Sequence, residues 1–138
     1  MRAGPLSRVL IVDDEETIRR LMVKWTDRSA YEVKAASSAE AALMIMHAWT
    51  AGVVVCDIRM PGYSGVWLID HLRKLYPSTA IVISTGYGQV DPALKLRARI
   101  TGHLAKPYDR ATLIAAVEQA IESHRTSDVA QPQEPFRH

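Results

Sequence analysis

The sequence predicts an α/β fold in which five strands alternate with five helices, giving a parallel sheet covered on both faces. Two observations carry this. Three short runs are almost wholly apolar and rich in β-branched residues: VLIV at Val9–Val12, VVVC at Val53–Cys56 and AIVIS at Ala80–Ser84. A run without polar alternation suits a central strand buried on both sides. Between these runs the apolar residues recur at helical spacing, and strands alternating with helices imply parallel pairing.

Taken in order, the first strand is Val9–Val12. Ile18, Leu21, Met22 and Trp25 then follow the i, i+3, i+4, i+7 pattern of a helix with one buried stripe. A weaker strand is expected at Tyr31–Ala35. Ser38 is a good N-cap for the second helix, whose stripe is Ala39, Ala42, Leu43 and Met46. The third strand, Val53–Cys56, runs into Asp57 and a Pro61-Gly62 turn. Leu68, Ile69, Leu72 and Leu75 make the third helical stripe. After the fourth strand, Ala80–Ser84, the segment Val90–Arg97 opens on Asp91-Pro92, as a proline in a first helical turn allows. A weak fifth strand, Gly102–Ala105, leads through Lys106-Pro107 to a last helix with Asp109 as its cap and Leu113, Ile114, Val117, Ala120 and Ile121 as its stripe.

A chain of 138 residues fits one domain with a proper core. Net charge is only +2, which argues against direct nucleic-acid binding or attraction to a membrane surface. The most hydrophobic window, Ala41–Cys56, is short and interrupted by His47, Thr50 and Gly52, so no membrane span is expected. Cys56 is the single cysteine and lies in an apolar run, which suits a buried thiol in a reducing cytoplasm. The domain is expected over residues 8–124. The polar, proline-containing stretch 125–138 has no apolar period and reads as a disordered tail or the start of a linker.

In parallel sheets of this kind, ligands bind outside the carboxyl ends of the strands. That edge would collect Asp13 and Asp14 after the first strand, Asp57 after the third, Thr85 at the end of the fourth and Lys106 after the fifth. Three carboxylates in one cleft repel one another unless a cation compensates. Mg²⁺ suits them, because it takes a few carboxylate oxygens and keeps sites for water and phosphate oxygens. A carboxylate can attack phosphorus to form an aspartyl phosphate, with metal and ammonium spreading the charge that builds up during transfer. Adjacent acidic residues after a strand are often only helix N-terminal groups. Four such features together at strand ends outweigh that plainer reading.

VLIVDDEE, VVVCDIRMPGYSG, IVISTGYG and HLAKP, in this order and spacing, resemble the receiver domain of bacterial two-component response regulators, over about Arg8 to Ser123. The resemblance implies a doubly wound five-stranded parallel sheet in the order 2-1-3-4-5. It makes Asp57 the phosphoacceptor. Asp14 becomes the main Mg²⁺ ligand, with Asp13 helping directly or through water, and the backbone carbonyl of Arg59 completes the set. Lys106 would pair with the phosphoryl group and Thr85 would be the switch hydroxyl. His103 stands where such domains usually carry an aromatic switch residue. The phosphoryl donor would be a sensor histidine kinase or a histidine phosphotransfer protein. The receiver would help catalyse its own phosphorylation and dephosphorylation without being an enzyme on an external substrate. Output would pass through the fourth helix, fifth strand and fifth helix to a downstream protein target or a missing output domain, or through a phosphorylation-dependent homodimer.

Arg59 and Tyr87, each two residues beyond a reactive position, are expected to shield the phosphoryl group and lengthen its life. Two alternatives stand beside the free-standing switch. One is a receiver fragment of a longer response regulator or hybrid kinase. The other, much weaker, is an aspartyl-phosphate-forming phosphohydrolase, which would want a second acid where Arg59 stands. Other singled-out residues read as structural. Trp25 and Trp67 are packing residues; His47, His71 and His124 have no metal-ligand company. Lys95, Arg97 and Arg99 read as a solvated basic face, and Glu15–Arg19 and Glu16–Arg20 as i, i+4 pairs worth about 0.2–0.5 kcal/mol each.

Overall fold

In the computed structural model the described residues are 7–27, 31–86 and 90–130, with side chains described as far as residue 126. The elements alternate as expected. They are β1 (Ser7–Val12), α1 (Glu16–Asp27), β2 (Tyr31–Ala36), α2 (Ala39–Ala48), β3 (Val53–Asp57), α3 (Gly65–Leu75), β4 (Ala80–Thr85), α4 (Pro92–Arg97), β5 (Gly102–Ala105) and α5 (Arg110–Ala130). The strands form one parallel sheet in the order β2-β1-β3-β4-β5.

The uniform apolarity of the central strands has a direct consequence. Successive side chains point to opposite faces, so each central strand supplies two cores at once. Leu10, Val12, Val54, Cys56, Ile81 and Ile83 pack on one side with residues of α2, α3 and α4. Val9, Ile11, Val53, Val55, Ala80 and Val82 pack on the other with residues of α1 and α5. The cap assignments hold: the Ser38 hydroxyl accepts from Ala41 N–H at 3.1 Å and the Asp109 carboxylate from Thr112 N–H at 2.9 Å. Asp91 caps the short α4 by accepting from Ala93 N–H at 3.0 Å. Ser64, which the stripe pattern does not reveal, caps α3 through Trp67 N–H at 3.3 Å.

Several expectations need correction. Leu75, placed on the buried stripe of α3, is 59% exposed, and Leu21 on α1 is 40% exposed. Leu21 sits at the margin of its stripe, and Leu75 is the last residue of α3. α4, by contrast, opens on Asp91-Pro92 as expected, with Asp91 as N-cap and Pro92 in the first turn. Arg20 pairs with Glu16 as expected, but Arg19 donates to the backbone carbonyl of Asp13 at 2.9 Å, tying α1 to the end of β1. The fifth helix carries on to Ala130, six residues past the boundary drawn at 124. Polar residues hold its last described turns, with Thr126 donating its hydroxyl to Glu122 carbonyl at 2.9 Å. Residues 131–138 lie outside the described residues.

One glycine is set by the sheet edge itself. A Cβ at Gly65 would collide with the backbone carbonyl of Asp57 and lie 2.7 Å from Ile58 Cα. Gly65 N–H meanwhile donates to Ile58 carbonyl at 2.9 Å, so α3 starts directly on the loop that presents Asp57. Gly65→Ala is therefore expected to cost about 3 kcal/mol, as overpacking against backbone does. Urea unfolding measures this, and a loss under about 0.5 kcal/mol, the range of neutral surface changes, would contradict it.

Candidate functional site

The carboxyl edge of the sheet brings the expected residues together. Parallel register ends β1 and β3 side by side, Val12 opposite Cys56, so Asp13 and Asp57 emerge as neighbours. β3 and β4 are in register to Asp57 opposite Ser84, and Thr85 pairs with Ala105. Lys106 follows at once, and its N–H donates to the Thr85 carbonyl at 2.8 Å. Its side chain reaches back across the sheet end, placing Nζ 2.7 Å from Asp13 Oδ2 and 3.4 Å from Asp57 Oδ2.

Asp13 and Asp57 are buried, whereas Asp14 is exposed. Local backbone donors fix both buried carboxylates: Glu15 N–H reaches Asp13 Oδ1 at 2.9 Å and Arg59 N–H reaches Asp57 Oδ1 at 3.2 Å. Burial raises the Asp57 carboxyl above its ordinary pKa, and the negative charge of Asp13 adds to it. The Lys106 charge and the Arg59 N–H oppose the rise without cancelling it. Burial pulls the Lys106 ammonium down, but its hydrogen bond to Asp13 and the two carboxylate charges outweigh burial, so the net shift is upward. The site thus sets one ammonium beside a cluster of three carboxyl groups.

One oxygen each from Asp13, Asp14 and Asp57 lies within 4.8 Å of the others. All three are hard oxygen donors, two anchored and one open to water, which fits a divalent cation of the Mg²⁺ kind.

Thr85 is buried at the end of β4. It borders a cavity of about 310 Å³ lined also by Ile58, Arg59, Val66, Val90 and Leu94, between the loop after β3 and helix α4. His103 lies exposed on the edge strand β5. Partial desolvation, and then the charge of Lys95, keeps its imidazole below the ordinary value. Tyr87 falls outside the described residues.

Two site residues escape sequence reasoning. Ser84 Oγ lies 2.8 Å from the Tyr108 hydroxyl, joining the strand that carries Thr85 to the loop that carries Lys106. Burial raises the Tyr108 phenol. A tyrosine two residues after the lysine has no local pattern to mark it, because its partner is 24 positions away. Cys56, under Asp57, is fully buried. Burial and the carboxylates of Asp57 and Asp13 hold its thiol well above the usual range, which makes it a packing residue.

A family model described as the response regulator receiver domain matches residues 9–118. The transcriptional regulatory protein FixJ of Rhizobium meliloti (strain 1021) is 36% identical over 115 residues, covering 83% of this chain and 56% of that protein. The response regulator protein FleR of Pseudomonas aeruginosa is 31% identical, with 80% of this chain and 24% of that protein covered. The chain therefore spans about half or less of the curated relatives it matches. Among solved structures, a response regulator receiver domain protein from Clostridium thermocellum superposes with a TM-score of 0.79 at 30% identity, covering 88% of this chain and 98% of that one. NtrX from Brucella abortus gives 0.83 at 26% identity, covering 91% of this chain and 29% of its own. Among the described residues, no helix is long and apolar enough to cross a membrane.

Proposed function

Because this chain belongs to the response regulator receiver family, we propose that it is a two-component switch in which Asp57 accepts a phosphoryl group. The observation that carries this is the single ammonium, Lys106, held between two buried carboxylates at 2.7 and 3.4 Å. Of the two, Asp57 suits the role of nucleophile better. Asp13 is fully buried, accepts from Glu15 N–H and has the closer hold on Lys106. Asp57 has the longer and weaker contact with Lys106, while its Oδ1 accepts from Arg59 N–H.

Asp57 Oδ2 would attack phosphorus, forming the acyl phosphate P–O bond as the bond to the donor's imidazole nitrogen breaks and its electron pair leaves with the ring. Lys106 then exchanges its long contact with Asp57 for a phosphoryl oxygen, and its charge opposes the charge developing there. Mg²⁺, held by Asp13, Asp14, Asp57 and the backbone carbonyl of Arg59, would supply further positive charge for the same oxygens. Thr85 would turn its hydroxyl to the phosphoryl group. The cavity beside it gives Thr85 and the start of α4 room to follow, so phosphorylation biases a conformational equilibrium. Arg59 and Tyr87 would shield the acyl phosphate from water.

The donor would be a sensor histidine kinase or histidine phosphotransfer protein in the cytoplasm. The receiver of this chain would act on a downstream protein, an output domain or a second copy. Intact-protein mass spectrometry after incubation with acetyl phosphate tests the reading. A gain of one phosphoryl mass with Mg²⁺, and none with EDTA, is expected. An equal gain in EDTA would sink the metal-dependent mechanism. Thr85→Ala should still gain the mass while losing phosphorylation-dependent changes in amide exchange at α4 and β5.

A further inference from the structure

The opposite edge of the sheet carries a cavity of about 160 Å³ with the reverse chemistry. Arg73 of α3, Ser78 before β4, Arg99 and Thr101 before β5, and Ser123 and His124 of α5 line it, and among the described residues no acidic side chain joins them. The Arg73 guanidinium is half-buried, yet it donates only to backbone carbonyls: Ala98 at 2.7 Å, Pro77 at 2.7 Å and Thr79 at 2.9 Å. These carbonyls take three of its five N–H groups, at Nε and Nη1, without supplying a net negative charge. Burial, and then the like charge of Arg99, pulls its pKa down to about 10. A desolvated cation facing a second cation is unfavourable unless an anion shares the space.

The remaining lining suits such an anion. Ser78, Thr101 and Ser123, from three separate segments, line the same cavity, and their hydroxyls can rotate to donate. The His124 Nδ1 lies 2.7 Å from the Ser78 carbonyl; a carbonyl only accepts, so Nδ1 carries the proton there and the ring fixes the turn that forms one wall. The volume equals about five waters at roughly 30 Å³ each. Donors converging from several directions match a tetrahedral, multiply charged acceptor better than a planar one, and guanidinium is the usual partner of such groups. We propose that this cavity binds a small oxyanion of the phosphate class between Arg73 and Arg99. It lies at the far end of the sheet from Asp57, so it is independent of the phosphoacceptor reading.

The test is an NMR titration of the magnesium-free protein with inorganic phosphate, following arginine Nε–H and backbone N–H signals, with sodium chloride at matched ionic strength as control. Saturable shifts at Arg73, Thr101 and Ser123 are expected with phosphate alone. Arg73 also ties three carbonyls, so the variants are placed elsewhere. Arg99→Gln should bind about tenfold more weakly, as loss of one charge-assisted contact implies, and Ser123→Asp should abolish saturation. A parallel titration with a nucleoside monophosphate separates the sources: matching shifts mean that the cavity takes an esterified phosphoryl group, and shifts with inorganic phosphate alone mean that it takes the free ion. Shifts that rise without saturation, equal shifts with chloride, or unchanged affinity in both folded variants would overturn the proposal.

Discussion

Asp57→Asn is expected to abolish phosphoryl incorporation and, in metal-free buffer at neutral pH, to raise the melting temperature. The two effects have one cause. Asp57 is buried beside Asp13, and its carboxyl is raised in the folded state. A carboxyl raised on folding contributes stability that is fully present below its unfolded pKa and is lost as pH rises through the folded value. At pH 7 the ionised group therefore costs stability, and an amide of the same shape removes that cost while still accepting from Arg59 N–H. Mg²⁺ should reverse the ranking, because a cation that binds the folded wild type stabilises it by mass action and finds a weaker site in the variant. Melting curves with and without Mg²⁺ check this. A metal-free variant less stable than wild type would show that the carboxylate is a net structural asset instead.

Lys106→Ala should work in the other direction on stability while also impairing chemistry. Its removal strands the fully buried Asp13 carboxylate, which keeps only Glu15 N–H. Losing one member of a buried pair costs about 3 kcal/mol. The raised ammonium keeps this stabilisation below its unfolded pKa and loses it as pH rises through the folded value, so the deficit of the variant should be full at pH 7 and shrink in strong alkali. The rate of phosphorylation by acetyl phosphate should fall by about 10²–10³, the scale for deleting one donor aimed at developing negative charge. Urea unfolding and initial rates by mass spectrometry read the two effects separately. A stable variant with unchanged rate would remove Lys106 from the mechanism.

What the sequence reveals is what depends on short range. Burial on both faces shows in VLIV, VVVC and AIVIS without any partner being known, and a polar residue straight after such a run must emerge at the sheet end. Asp13, Asp57 and Thr85 are legible for that reason, Lys106 follows the weaker run Gly102–Ala105, and the parallel register then brings them together. Properties set by distant partners are not legible. Arg19 offers Glu15 as its obvious mate yet donates to the Asp13 carbonyl. Arg97 belongs to an apparent basic face yet forms a two-point ion pair with Asp70, 3.1 Å at each contact. Leu21 and Leu75 obey the helical period, which says nothing of how wide a stripe the sheet covers or where along the helix the cover ends. Arg73, Arg99 and His124 come from three elements, and only the fold gathers them around one cavity.

The most direct measurement is to locate the phosphoryl group itself. Wild-type protein treated with acetyl phosphate and Mg²⁺, reduced with borohydride and digested, should yield a peptide with homoserine at position 57 and at no other carboxylate. Unmodified Asp57 in folded, magnesium-loaded protein, or homoserine at position 13 or 14 instead, would contradict the assignment of Asp57 as acceptor.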